Sequence, residues 1–270
     1  MQINFSKMTG SGNDFILVDN MNRNYNVGEI IPYIAKICTH RLSVGADGFI
    51  MIEPDEKADF MWHFYNSDGS PAEMCGNGAR CAARFAYLNG YTERNMSFLT
   101  TAGLIHAEIK EGVNVKVQLT QPSGMIINKE APLYGIYTAY SYIVAGNPHV
   151  VIFDDNIENA DVKTAGSQIR NHREFAPNGA NVNFVHVTGK DTLRVRTYER
   201  GVEDETLACG TGSAASALIA IETGLVSSPV TIKTSGNIDM KVYKEDELVY
   251  LEGEARVVAT GTIAREAMEY

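Results

Sequence analysis

The segments M-C-G-N-G-A-R (residues 74–80) and A-C-G-T-G-S-A (208–214) decide the fold, because the second repeats the pattern of the first. Both fit Cys-Gly-x-Gly-small, and each continues into an alanine-rich stretch that closes at a glycine, Gly90 or Gly224. The offset between the copies is 134 residues at the cysteines (209 − 75) and again at the closing glycines (224 − 90).

A third landmark has the same offset. G-N-D-F-I-L-V (12–18) corresponds to G-N-P-H-V-V-I (146–152), also 134 residues later (146 − 12). Three landmarks at one offset predict two structural copies within one chain. Each copy offers one thiol, so two similar lobes can present two thiols to a cleft between them.

The position of each cysteine indicates a reactive thiol. Glycines let the backbone turn tightly after Cys75 and after Cys209. The residues that follow, 79–89 and 213–223, read as helices, so each cysteine lies at a helix N-terminus, where unpaired N–H groups and the helix dipole favour an anion. The sequence therefore predicts thiol pKa values lowered toward neutrality, and N–H groups that can hold a substrate carboxylate.

The composition is that of a soluble enzyme. The chain has 270 residues, which is enough for one or two domains with ample core. Of these residues, 44% are apolar and 21% are charged, as is usual for a soluble globular enzyme. A net charge of −10 argues against nucleic acid or an anionic membrane as a partner. No apolar run approaches the length of a membrane span, and the N-terminus lacks signal-peptide features, so we expect a cytoplasmic location.

The cysteines predict neither a disulfide scaffold nor a metal site. Four cysteines (38, 75, 81 and 209) are too few to staple a chain of this length. The C-x5-C spacing at 75–81 is not a zinc pattern, and no histidine cluster accompanies it. We read Cys38 and Cys81 as small core residues.

Periodicity predicts an α+β fold in which strands outnumber helices. Hairpins are expected over 107–119 and 240–251, and helices over 28–40, 78–89, 161–172 and 212–223. The loop Q-P-S-G (121–124) is the best boundary between the halves. We expect an N-terminal lobe of residues 1–120, completed by 257–270, and a C-terminal lobe of residues 121–256.

Five segments along nearly the whole chain resemble the diaminopimelate epimerase family, and they occur in the order of that family. The family consists of cofactor-independent, two-cysteine isomerases of lysine and peptidoglycan precursor synthesis. The matching segments are K-M-T-G-S-G-N-D-F (7–15), Y-N-S-D-G-S-P-A-E-M-C-G-N-G-A-R-C (65–81), G-N-P-H-V-V (146–151), N-V-N-F (181–184) and Y-E-R-G-V-E-D-E-T-L-A-C-G-T-G (198–212).

The resemblance implies two pseudo-symmetric lobes, each a sheet or barrel wrapped around a central helix, with the active site in the cleft between them. It implies that Cys75 and Cys209 are acid/base thiols, oriented or polarised by His149 and Glu199. It implies no cofactor and an amino-acid substrate. The sequence does not determine the oligomeric state, and a homodimer is one option. The implied substrate-binding residues are Asn13, Asn66, Gly76, Asn77, Asn147, Asn181, Glu199, Arg200, Gly210 and Thr211.

Two positions depart from the family pattern. Gly48 stands where some members have a glutamine, so no substrate contact is assigned there. Thr9 stands where many members have a histidine.

Two other functions remain open at this point. One is a racemase of another amino acid on the same scaffold, of the histidine or proline type. The other is a thiol redox protein, which the absence of a C-x-x-C motif disfavours. A G-x-G-x-x-A match at 210–215 is weak evidence for a nucleotide site, because a polar run rather than a strand precedes it.

Overall fold

The computed structural model describes residues 2–270, which form two compact units. The first contains the residues up to Val117 together with Gly253–Tyr270, and the second is Gln118–Glu252. Within the described residues, no helix is both long and apolar enough to cross a membrane.

The elements follow one another in the same way in both halves of the chain. The first run is β1 (Ile3–Gly10), β2 (Asn13–Asp19), α1 (Val27–Cys38), β3 (Gly48–Glu53), β4 (Phe60–Asn66), α2 (Gly76–Leu88), β5 (Asn95–Thr100), β6 (Gly103–Ile109) and β7 (Asn114–Gln118). The second run is β8 (Ser123–Tyr134), β9 (Tyr137–Ala145), β10 (Asn147–Phe153), α3 (Val162–Arg170), β11 (Asn181–Gly189), β12 (Thr192–Glu199), β13 (Asp204–Thr206), α4 (Gly210–Glu222), β14 (Val230–Thr234), β15 (Asp239–Glu245) and β16 (Leu248–Glu254). The chain then ends with β17 (Arg256–Ile263) and a short 3-10 helix, Arg265–Met268.

The two units have the same strand order and the same strand directions. In the first unit the order is β17-β1-β2-β3-β4-β5-β6-β7, antiparallel except for the parallel pairs β2–β3 and β4–β5. In the second it is β8-β9-β10-β11-β12-β14-β15-β16, with β10–β11 and β12–β14 parallel. The predicted duplication is confirmed, and β17 holds in the first unit the place that β8 holds in the second.

One helix in each unit is enclosed by its sheet. Helix α2 packs on β1, β2, β3 and β6, and α4 packs on β9 to β12, β14 and β15. Both helices are buried almost all round, and six of the thirteen residues of each are alanine or glycine. Small side chains let strand residues such as Leu17 and Trp62 approach α2 closely. The opposite sheet faces are covered by α1 and α3, which bury one apolar stripe each.

The two enclosed helices end in the same way. Gly90 and Gly224 have φ of +75° and +72°, which is the left-handed conformation that glycine adopts without a Cβ penalty. The N–H of Tyr91 then bonds to the carbonyl of Ala86, and the N–H of Leu225 to that of Ala220. These bonds satisfy carbonyls that a helix end leaves open, so the repeated glycines stop both helices at equivalent residues.

The predicted helices and both hairpins are confirmed, with small shifts at their ends. Helices α2 and α4 begin two residues earlier than predicted, because the glycines after each cysteine are already helical. The hairpin β8–β9 was missed. Its first strand is exposed and contains Lys129, Glu130 and Pro132, so it lacks the apolar alternation that marks a strand.

The enclosure of α4 predicts an intolerance to larger side chains. Ala217 is fully buried among apolar strand residues. We expect Ala217→Leu to lower the free energy of unfolding by about 1–3 kcal/mol, because added methylenes have no room in a filled core. Urea unfolding measures the change. The control is Gln168→Leu on the exposed face of α3, and equal costs for the two variants would mean that the sheet does not enclose α4 tightly.

Candidate active site

Each of the two repeated cysteines is the N-cap residue of an enclosed helix, as predicted. The sulfur of Cys75 accepts from the N–H of Gly78 at 3.5 Å, and that of Cys209 from the N–H of Gly212 at 3.4 Å. Cysteine is not among the residues that usually cap helices, since oxygen acceptors serve better. Two cysteine caps at equivalent places therefore indicate a chemical rather than a stabilising role.

The expectation that both thiol pKa values are lowered toward neutrality is wrong for this structure. Burial is the largest effect at both sites and raises both values, that of Cys209 to about 12. The helix N–H groups act in the opposite direction but do not outweigh the loss of hydration. The sequence pattern showed the helix terminus, whereas the depth of the sulfur depends on the tertiary fold.

The charged neighbours of the two thiols have opposite signs. After burial, the carboxylate of Glu199 has the largest effect that raises the pKa of Cys209. The side chains of Glu199 and Cys209 are hydrogen-bonded. Near Cys75 the guanidinium of Arg80 acts to lower the pKa and has a larger effect than the carboxylate of Asp47, which acts to raise it. A thiolate is therefore opposed by charge at Cys209 and favoured by charge at Cys75.

In the first unit a hydrogen-bond chain joins two of the predicted substrate-binding asparagines. Arg80 donates to Oδ1 of Asn77 at 2.6 Å, and Nδ2 of Asn77 donates to Oδ1 of Asn13 at 2.7 Å. Nδ2 of Asn13 then donates to Asp47 at 2.9 Å. A guanidinium can only donate and a carboxylate can only accept, so the ends of the chain determine which way both amides face.

Arg80 and Asp47 are the two ends of this hydrogen-bond chain, and neither is among the site residues predicted from the sequence. The side chain of Arg80 is completely buried and also bonds the hydroxyl of Ser11 at 2.9 Å. It lies one helical turn after Gly76, whose carbonyl it also reaches at 3.3 Å. The sequence offered only the position of this arginine at the end of the M-C-G-N-G-A-R motif, whereas its burial, which is rare for an arginine without partners, is a property of the tertiary structure. The amide of Asn66, at the end of β4, donates to Ser70 at 3.0 Å.

In the second unit the register of three strands aligns three of the predicted residues. His149 on β10 is paired with Asn181 on β11. Val182 is paired with Tyr198 of the antiparallel β12, which puts Glu199 at the level of Asn181. These side chains come from distant parts of the sequence, and sheet pairing brings them to one end of the three strands.

Arg200 connects two further predicted residues of the second unit. Its guanidinium donates to Oδ1 of Asn147 at 3.1 Å, and its backbone N–H donates to Oδ1 of Asn181 at 2.8 Å. The amide of Asn181 donates in turn to the carbonyl of Pro148 at 3.2 Å. The side chain of Arg200 is partly exposed and carries no carboxylate partner among the ion pairs of the described residues, so it can bind a ligand anion.

Of the remaining predicted residues, Gly210 and Thr211 lie beside the second thiol, and His149 lies in the interior of the second unit. Gly210 is the first residue of α4, and the hydroxyl of Thr211 is 3.5 Å from the sulfur of Cys209. His149 is fully buried, and its pKa is lowered to about 3 by burial and by the charge of Arg200. Its imidazole is therefore neutral at pH 7.

One cluster outside these residues has the composition of a cation site. Asp14, His40 and Asp47 place one ligand atom each within 4.8 Å of one another. The ammonium of Lys7 already lies 2.8 Å from Asp14, and its charge would repel a cation there. The cluster is therefore not assigned as a metal site.

Taken separately, each unit thus offers a helix N-terminus with a thiol and backbone donors, flanked by amides and one arginine. Such a set can transfer protons and hold carboxylates. The fold agrees with that of solved structures. A Bacillus anthracis phenazine biosynthesis protein of the PhzF family has a TM-score of 0.73 at 14% identity, covering 98% of this chain and 99% of that one. An Agrobacterium vitis hydroxyproline epimerase has a TM-score of 0.70 at 12% identity, covering 98% and 93%.

Sequence comparison identifies the family within this fold. The diaminopimelate epimerase family matches residues 5–124 and 141–258. Diaminopimelate epimerase from Aquifex aeolicus is 44% identical over 280 residues, covering 98% of this chain and 99% of that protein. The same enzyme from Archaeoglobus fulgidus is 38% identical, with 100% and 99% covered. The chain belongs to the diaminopimelate epimerase family.

Gly78 and Gly212, each three residues after its cysteine, should differ in how well they tolerate substitution by alanine. A Cβ at Gly212 would overlap Oδ1 of Asn183, which is buried and cannot move freely. A Cβ at Gly78 would meet the terminal methyl of Ile50 at 3.1 Å, which can shift. We expect Gly212→Ala to lower the free energy of unfolding by about 1–3 kcal/mol more than Gly78→Ala, measured by urea unfolding. Equal effects would contradict the close contact between α4 and β11.

Proposed function

We propose that this chain interconverts LL- and meso-diaminopimelate, and that Cys75 and Cys209 are its two acid/base groups. The observation that carries the proposal is the duplicated N-cap cysteine, one on the enclosed helix of each unit. Membership of the diaminopimelate epimerase family supports the substrate and the place of the reaction in lysine and peptidoglycan precursor synthesis. A cytoplasmic location and a homodimeric state stay predictions.

Inversion at an α-carbon by two bases explains the need for two thiols. One group takes the proton from one face of the carbon, and a second, already protonated group delivers a proton from the other face. A thiol and a thiolate can exchange these roles for the reverse reaction, because the product leaves them in the opposite protonation states. A single cysteine could not serve both stereoisomers.

The charges near each sulfur make Cys75 the easier of the two thiols to deprotonate and Cys209 the one that keeps its proton. Arg80 stabilises negative charge near Cys75, whereas Glu199 opposes it at Cys209. A neutral Cys209 can donate a proton to the substrate carbon. Glu199 would then stabilise the protonated thiol by accepting its hydrogen bond whenever Cys209 holds the proton.

The helix termini would stabilise the charge that grows during the reaction. The first N–H groups of α2 and α4, at Gly76, Asn77, Gly210 and Thr211, have no partner within their own helices. Donors that are fixed before the reaction stabilise an anion without reorganisation, and this is the largest contribution in many enzymes. A substrate α-carboxylate at these groups would place the developing carbanion beside them.

Arg200 is the best group for the second carboxylate of the substrate. Its planar guanidinium is anchored by Asn147 and leaves donors for a bidentate pair. The amides of Asn13 and Asn77, held in fixed orientation, would contact the polar ends of the substrate. The shared fold with hydroxyproline epimerase and PhzF proteins does not select a substrate, so these side chains and the family membership carry that choice.

The two-base mechanism predicts that both thiols are required for epimerisation. With LL- or meso-diaminopimelate in deuterated water, deuterium should enter the α-carbon of the product. Cys75→Ala and Cys209→Ala should each abolish epimerisation, because each face of the carbon requires its own acid/base group. Chiral chromatography with mass spectrometry measures both the inversion and the label.

Cys38→Ala and Cys81→Ala are the matched controls, since these thiols are likewise free, are buried and lie outside the proposed site. Both controls should keep their activity if they remain folded. Full epimerisation by either Cys75→Ala or Cys209→Ala would exclude the two-thiol mechanism.

If Arg200 binds the second carboxylate of the substrate, Arg200→Ala should lose activity toward diaminopimelate. Removal of a charged hydrogen bond costs roughly 1.5–3 kcal/mol, or about ten- to a hundred-fold in kcat/KM for diaminopimelate. Steady-state kinetics measure the loss. Lysine, which lacks this carboxylate, is the control substrate and should be turned over poorly by both proteins. Equal turnover of lysine and diaminopimelate by the unaltered enzyme would show that Arg200 does not read the carboxylate.

A further inference from the structure

The two units differ in one buried group of side chains that contacts the first turn of the enclosed helix. In the first unit the group is Phe15, Ile50 and Phe64, all apolar. In the second unit the equivalent residues are His149, Asn183 and Thr197, all polar and all buried.

The register establishes this equivalence. Phe15 and His149 are the third residues of the equivalent strands β2 and β10. Ile50 is paired with Phe64 between β3 and β4. Asn183 is paired with Thr197 between β11 and β12, the equivalent strands of the second unit.

The apolar group shows that the fold itself does not require polar residues here. Burying a polar side chain costs free energy unless its hydrogen bonds are made, and buried apolar residues would stabilise the unit without that requirement. Because the first unit fills the same space with phenylalanine and isoleucine, the polar group in the second unit points to a function.

Asn183 is the centre of the polar group. Its Nδ2 lies 2.9 Å from the carbonyl of Val150 and 3.1 Å from Nδ1 of His149. Its Oδ1 accepts from the hydroxyl of Thr197 at 3.0 Å. The carbonyl of Val150 can only accept, so the amide nitrogen of Asn183 must face Val150 and His149.

That orientation determines the tautomer of His149. Nδ2 of Asn183 has two hydrogens, one for the carbonyl of Val150 and one for Nδ1 of the imidazole. Nδ1 must therefore be the acceptor, and the ring proton lies on Nε2. An imidazolium would bring an Nδ1–H against the amide N–H, which is repulsive. Nε2 is buried and has no hydrogen-bond partner among the described residues.

We propose that Asn183 is a positioning residue that holds His149 as a neutral imidazole with its proton on Nε2. His149 then acts on the reaction as a hydrogen-bond donor to an anion, a thiolate or a substrate carboxylate, and not as a proton acceptor. This role in the reaction rests on the proposed epimerase function. The tautomer itself does not depend on it.

Imidazole nitrogen-15 NMR of the whole protein, with His149 assigned through His149→Gln, tests the tautomer directly. We expect an unprotonated Nδ1 and a protonated Nε2 throughout the pH range in which the protein is folded. A proton on Nδ1, or an imidazolium at pH 7, would overturn the proposal. The measurement needs no substrate, so it decides the tautomer even if the chain does not turn over diaminopimelate.

Asn183→Asp tests the consequence for the reaction. A carboxylate of the same shape can only accept, so it would draw the imidazole proton to Nδ1 and remove the donor at Nε2. We expect the NMR signals to show this change and kcat to fall by about ten- to a hundred-fold, as for a lost charge-assisted hydrogen bond, with KM changed by less than about threefold. An altered tautomer with unchanged kcat would overturn the proposal.

Two further variants separate positioning from a general loss of structure. Thr197→Val removes the hydroxyl donor to Asn183 but leaves the contact with Nδ1, so the tautomer should persist and kcat should stay within about threefold. Asn159→Asp makes the same change as Asn183→Asp at an exposed residue and should alter neither readout. If Thr197→Val lost as much kcat as Asn183→Asp with its tautomer intact, the tautomer would not be what the reaction depends on.

Discussion

The enclosure of one small-residue helix by the sheet of each unit is the constraint on which the rest of the structure depends. The many alanine and glycine residues of α2 and α4 let the strands approach these helices closely. The close approach aligns the first helical turn with the ends of the strands. Cys75 therefore lies near Arg80 and Cys209 near Glu199, and Asn77 in the first turn of α2 bonds Asn13, which lies far away in the sequence.

Burial and the helix terminus act on the same sulfurs in opposite directions. The N–H groups of the first helical turn donate to the sulfurs and favour a thiolate, and the loss of hydration disfavours it more strongly. A pair of thiols that stay protonated without substrate resists unwanted alkylation and oxidation, since the thiolate is the reactive form. The charged neighbours then give the two thiols different tendencies to ionise, because Arg80 stabilises an anion near Cys75 and Glu199 stabilises the protonated form of Cys209.

The duplicated architecture makes the functional residues visible as departures from symmetry. The units share strand order, strand directions, enclosed helix and terminal glycine, so a difference at an equivalent residue is not required by the fold. The buried arginine of α2 has Ala214 as its equivalent in α4, and the buried Phe15 has His149. Each departure introduces a donor beside a helix terminus, where an anion would be bound.

The sequence by itself determined the duplication, the four helices, the two terminal glycines and the positions of both cysteines, because these features depend on local spacing and local backbone conformation. The family motifs also marked the substrate-binding candidates. Only the tertiary structure decided the pKa of each thiol, the burial of Arg80 and the orientation of Asn183. These properties depend on which strands pair and how deeply a side chain lies. Neither hydration nor the direction of a hydrogen bond across three strands is encoded in any short stretch of residues.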